Sequence, residues 1–111
     1  MNPQRYLCSH LVALKNNSRA PAVNLFANLE EIWCTGAVLE AEEPVEMGAK
    51  IELRGGSATF VGHVVQVERH ELGWRLEVEF SPLTHWSVEK FAPQHLLDLS
   101  KRDLSKKDQG E

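Results

Sequence analysis

Trp74-Arg75-Leu76-Glu77-Val78-Glu79-Phe80 alternates large apolar residues with charged ones without a break. A period of two sends successive side chains to opposite faces, so this stretch reads as a half-buried β-strand. Working outward, Glu71-Leu72-Gly73 supplies the turn before it, and the run from Ala58 to Glu68 lies beyond that turn. Gly55-Gly56 is a hairpin signal joining this run to Ala49, Ile51 and Leu53, which alternate with Lys50 and Glu52. Gly36-Ala37-Val38-Leu39-Glu40 forms another short strand, broken by Glu42-Glu43-Pro44. Val23, Leu25, Ala27 and Leu29 alternate with Asn24, Phe26 and Asn28, and His10 to Lys15 splits its apolar residues between two faces. Asn16-Asn17-Ser18 and Pro21 mark the turn between these two segments. Six short strands at this spacing predict an all-β, small six-stranded antiparallel barrel.

The period changes after Phe80. Ser81-Pro82 has the form of a helix cap followed by proline at the first helical position. With Leu83 and Trp86 on one face, Phe91 about a turn beyond, and Pro93 as a stop, the pattern predicts one or two short C-terminal helices. Leu96, Leu97 and Leu99 are expected to return to the core. From Ser100 the composition turns to Lys, Asp, Ser, Gln and Gly, which predicts a domain over residues 1–99 and a flexible tail over 100–111.

The whole chain has 111 residues, enough for one core and not two. Twelve Lys and Arg against sixteen Asp and Glu leave a formal net charge of −4. That balance argues against a nucleic-acid polymer as partner, because neutralising phosphates requires a clustered basic face. No apolar run approaches the roughly 20 residues of a membrane-spanning helix. No charged segment followed by an apolar stretch opens the chain, so a cytoplasmic location without membrane insertion is expected. Cys8 and Cys34 are too few for a disulfide scaffold, and two buried free thiols are expected.

Catalytic signals are absent. Neither Gly-x-Ser-x-Gly nor a phosphate-binding glycine loop occurs, and the acidic residues lie in turns or on alternating strand faces. Cys8 and His10 share a strand face, but no second pair at structural-zinc spacing accompanies them, so no metal is expected. The reading is a non-enzyme. Of the three tryptophans, Trp74 and Trp86 are read as core or lid residues. Trp33 lies in a tight bend before Cys34-Thr35-Gly36, where packing against the barrel rim is the first reading and ligand contact the second.

Leu29-Glu30-Glu31-Ile32-Trp33-Cys34-Thr35-Gly36-Ala37-Val38-Leu39 resembles the PilZ domain, whose members carry an Asp/Asn-x-Ser-x-x-Gly motif in this setting. The resemblance extends through Glu43-Pro44-Val45-Glu46-Met47-Gly48, Phe60-Val61-Gly62-His63-Val64 and Gly73-Trp74-Arg75-Leu76-Glu77-Val78-Glu79-Phe80. It implies a six-stranded barrel and, for typical members, binding of the bacterial second messenger cyclic di-GMP. In such members two arginines of an Arg-x-x-x-Arg motif hold phosphates and guanine edges, and the Asp/Asn and Ser hold a guanine. Here Arg5 stands alone, either as the second arginine with Met1 in place of the first, the preferred alignment, or as the first with Ser9 in place of the second. Glu31 takes the Asp position, Trp33 the Ser position, and Gly36 matches. A charge-assisted hydrogen bond is worth roughly 1.5–3 kcal/mol, so losing one arginine and the serine costs about a thousandfold in affinity.

The resemblance therefore implies a regulatory or adaptor domain that contacts another protein, such as a bacterial regulatory or motility protein, without a cofactor. Trp33, Trp86 and Phe91 are the candidate contact residues, and self-association is left open. The alternative is a cyclic di-GMP sensor whose altered pocket is built from Arg5, Arg19, Glu31, Trp33 and Gly36. A third reading, an unrelated barrel binding polysaccharide or RNA, lacks a basic-aromatic stripe.

Overall fold

The computed structural model describes residues 4–71 and 73–98. The expected tail over 100–111, Leu99 and Met1 lie outside the described residues. Six antiparallel strands run in chain order: β1 Arg5–Asn16, β2 Val23–Trp33, β3 Gly36–Ala41, β4 Lys50–Gly55, β5 Ala58–His70 and β6 Gly73–Phe80. The sheet runs β2-β3-β6-β5-β4-β1, and β1 pairs with β2 again, so the sheet closes into the expected barrel. A two-residue strand, β7 Leu97–Asp98, pairs with Tyr6 and Leu7 at the start of β1.

Closure places the alternating apolar residues in one core. Leu14, Leu29, Ile32, Leu39, Ile51, Leu76, Val64 and Val78 are almost fully buried, and Phe60 stacks on Phe80 with ring centroids 5.3 Å apart. Gly55 pairs with Ala58, leaving Gly56-Ser57 as a two-residue turn in which Gly56 takes a positive φ of 60°. Three ladders carry an extra residue, the first between Leu7 and His10 where β1 faces β2. Leu29 faces Leu39 but Glu31 faces Val38, and Val64 faces Val78 but Gln66 faces Glu77. Each shift moves the inward phase by one residue, so that β2 buries Ala27 and Leu29 and then Ile32.

The predicted helix after Phe80 is not present. Residues 81–96 run as turns and extended chain across one end of the barrel. Their bonds go to the barrel: the Trp86 amide donates to the Cys34 carbonyl, the Ser9 amide donates to the Gln94 carbonyl, and the Ser81 amide donates to the Val61 carbonyl. Trp86 and Phe91 are only 4% and 7% exposed. Residues five apart on a helix lie about 140° apart around its axis, so a helix could not bury both on one stripe. The chain bends instead, and the Trp86 indole N–H donates to the Phe91 carbonyl at 2.8 Å. Leu83, expected to share the face of Trp86, is 96% exposed. The segment is a plug, with Trp86 edge-on to Tyr6 and Phe91 edge-on to His10.

Candidate functional site

Four of the five motif residues meet at one end of the barrel. Arg5 and Trp33 are direct cross-strand partners at the ends of β1 and β2, and Glu31 sits opposite Leu7. On that short stretch of ladder, the Arg5 guanidinium donates to Glu31 Oε1 at 2.9 Å and lies 4.0 Å from the centre of the Trp33 ring. Glu31 is mostly shielded, whereas Arg5 keeps 42% of its side chain exposed. An exposed ion pair contributes about 0.2–1 kcal/mol and a cation–π contact about 0.5–1 kcal/mol, so this cluster orders the rim more than it stabilises the fold.

Trp33 is 5% exposed. Its indole lies against Gly36, where an added Cβ would come within 2.8 Å of the Trp33 ring and 2.6 Å of the Val78 carbonyl oxygen. Gly36 is thus required by close approach, and Trp33 fills space that a smaller residue would leave open. With 5% of Trp33 exposed and Arg5 4.0 Å from its ring centre, the indole is not free to stack on a base.

Arg19 does not belong to this constellation. It lies in the β1–β2 turn, at the far end of β1, on the order of 35 Å of strand away from Arg5 at about 3.3 Å per residue. There it pairs with Glu46 at 3.2 Å. Asn16, a buried polar residue, donates to the same carboxylate at 2.9 Å, and this bond is the first cause holding Glu46 below the usual carboxylate range. These contacts fix a turn.

The proposed contact aromatics are corrected as a group. Trp33, Trp86 and Phe91 are all buried, so none presents a ring to a partner. The large apolar groups that do face outward are others, among them Leu11 at 65%, Phe26 at 70% and Leu83 at 96% exposure. Phe26 and Leu11 lie on the outer faces of β2 and β1, where the alternation that points half-buried Leu25 and buried Val12 inward turns them outward. That signal was in the sequence, in an apolar residue at a polar phase.

Both cysteines are free thiols, but only Cys8 is half-buried, and Cys34 is exposed in the turn after Trp33. Burial, then the charges of Glu30 and Glu31, pushes the Cys8 thiol up to about 12. Among the described residues no three His, Cys, Asp or Glu side chains converge as metal ligands would.

A second feature, not anticipated, is an open groove of about 620 Å³ bordered by Leu11, Phe26, Glu30, Glu40, Glu42 and Glu43. Glu40 is bonded to His70 at 2.7 Å. Burial, followed by the charge of Glu40, raises the carboxyl of Glu30 above its ordinary value. Comparison of the chain with known protein families, with characterised proteins and with solved structures finds no match in any of the three.

Proposed function

We propose that this chain is a PilZ-like barrel that acts as a non-catalytic regulatory or adaptor domain through protein–protein contacts and does not hold cyclic di-GMP. The carrying observation is that the positions resembling the ligand motif are satisfied from within: Arg5 is engaged by Glu31, and Trp33 is packed on Gly36 beneath it. A ligand phosphate would have to displace Glu31 from Arg5, and a guanine would have to displace a buried indole. The closed barrel supports the resemblance at the level of architecture. A bacterial, cytoplasmic setting with a regulatory or motility protein as partner belongs to the same proposal.

The test is a thermal-shift measurement with cyclic di-GMP. A ligand with Kd of ~10 μM stabilises by about 2.7 kcal/mol when present at about 1 mM. In a domain of this size that is a rise of roughly 10–20 °C. No shift is expected; a shift of that size overturns the proposal. The exposure of Arg5 favours one second reading, an altered-pocket sensor in which Arg5 swings from Glu31 to a phosphate. On that reading Arg5→Ala abolishes ligand binding, and Arg19, at the other barrel end, is dispensable.

A further inference from the structure

We infer that the free edge of β2 at Val23–Phe26, with the groove beside it, accepts an extended lysine- or arginine-bearing segment of a partner protein by strand addition. The inference rests on the protein-contact reading and names the surface and the chemistry of the partner.

The first observation is one of register. β1 pairs with β2 from Val23 to Trp33, but β3 pairs with it only from Ala27, opposite Ala41, to Trp33. Beyond Ala41 the chain turns away into Glu42-Glu43-Pro44. Val23, Asn24, Leu25 and Phe26 therefore have a neighbour on one side only. In an antiparallel strand alternate residues direct both N–H and C=O to the same side, so two of these four aim theirs outward. No described backbone bond outside the β1–β2 ladder reaches them. Such an edge is a template for another strand.

The second observation is shape and chemistry at the same place. The groove of about 620 Å³ is bordered by Asn24 to Asn28 on one side and by Ala41 to Glu43 on the other, where the next strand would lie. Phe26 and Leu11 offer exposed apolar surface on its outer face, and Glu30, Glu40, Glu42 and Glu43 line its flank. The basic side chains that face this flank are His70, bonded to Glu40, and Arg75, which acts on Glu30. Glu42 and Glu43 have no ion pair among the described residues. An incoming strand that alternates apolar and cationic residues meets both features at once. A second copy of this chain does not: edge-to-edge pairing would bring two acidic flanks to one seam.

The experiment uses the intact chain, labelled with nitrogen-15, and three peptides of about seven residues. One alternates lysine with valine, one replaces each lysine by glutamate, and one carries N-methyl groups on alternate amides of the lysine peptide. The lysine peptide is expected to shift the amides of Val23 to Phe26 and Glu42 to Glu43. The glutamate peptide is expected to bind at least about tenfold more weakly, with a difference that shrinks as salt rises. N-methylation is expected to weaken binding about tenfold or more by removing main-chain bonds. Phe26→Ser and the pair Glu42→Lys with Glu43→Lys should each weaken the lysine peptide while leaving the melting temperature unchanged. Absence of binding, shifts centred away from β2, or equal affinity for the three peptides overturns the inference. A dimer in sedimentation that Phe26→Ser dissolves also overturns it, in favour of self-association. Failure here with no response to cyclic di-GMP leaves the protein-contact reading with another surface, whereas a cyclic di-GMP response removes that reading whatever the peptides do.

Discussion

Leu83 and Trp86 are the pair of residues whose replacement separates a plug from a helix. On a helix they would share a face, and removing either side chain would cost core energy. In the structure they are divided, with Leu83 96% exposed and Trp86 4% exposed. Leu83→Ala is therefore expected to change stability by less than about 0.5 kcal/mol, as an exposed substitution does. Trp86→Phe keeps an aromatic ring beside Tyr6 but deletes the indole donor, leaving the Phe91 carbonyl without its partner. An unsatisfied buried acceptor costs about 1–3 kcal/mol, which is roughly 4–20 °C of melting temperature in a domain of this size. Trp86→Ala adds a cavity and should cost about 3–5 kcal/mol. Urea denaturation of the four proteins, followed by far-ultraviolet circular dichroism, measures all three differences. A Leu83→Ala loss of about 2 kcal/mol or more, or a Trp86→Phe variant indistinguishable from wild type, would refute the plug.

The ion pair, the thiols and the groove give three further expectations. Arg5→Ala and Glu31→Ala should couple by about 0.2–1 kcal/mol in a double-mutant cycle, because the Arg5 side chain keeps 42% of its surface in solvent; strict additivity in urea midpoints would contradict the pairing. Cys34 should react at once with an aromatic disulfide at pH 8. Cys8, with its thiol at about 12, carries about a thousandfold less thiolate than an ordinary cysteine and should lag; equal rates by mass spectrometry contradict its burial. Glu30 has its folded-state pKa raised, so the native state binds the proton more tightly and stability falls as pH rises through that value. Glu30→Gln should therefore raise the melting temperature at neutral pH, with the gain vanishing below about pH 4, where both side chains are neutral. A gain that persists in acid would assign the effect to something other than charge.

Three strands were legible almost to the residue: Trp74–Phe80 within β6 from its unbroken alternation, and Ala58–Glu68 within β5 and Gly36–Glu40 within β3 from the turn residues that bound them. The lower half of the long hairpin was not. β2 continues four residues past Leu29 because the extra residue at Glu30 shifts the phase, and a pattern search stops where the phase breaks. β1 likewise begins at Arg5 rather than His10, since its register against β2 shifts between Leu7 and His10 and its inward groups there are the half-buried Tyr6 and Cys8. The helix expected after Ser81-Pro82 has a valid local signal, which tertiary demand for two buried aromatics overrides. At the site, Arg5, Glu31, Trp33 and Gly36 were named together through the resemblance to the PilZ motifs, and the structure brings them together. Arg19 was named with them in the altered-pocket alternative, and the length of β1 separates it. The β2 edge could not be read from local pattern, because it arises from where β3 ends relative to β2.

Calorimetric titration of the intact chain with cyclic di-GMP tests most directly the claim that the rim is filled from within. The account predicts no binding heat up to about millimolar ligand, a dissociation constant worth only about 4 kcal/mol. Saturable heat at micromolar ligand would mean that Glu31 releases Arg5 and Trp33 leaves Gly36 to rebuild a working pocket, and it would contradict the account.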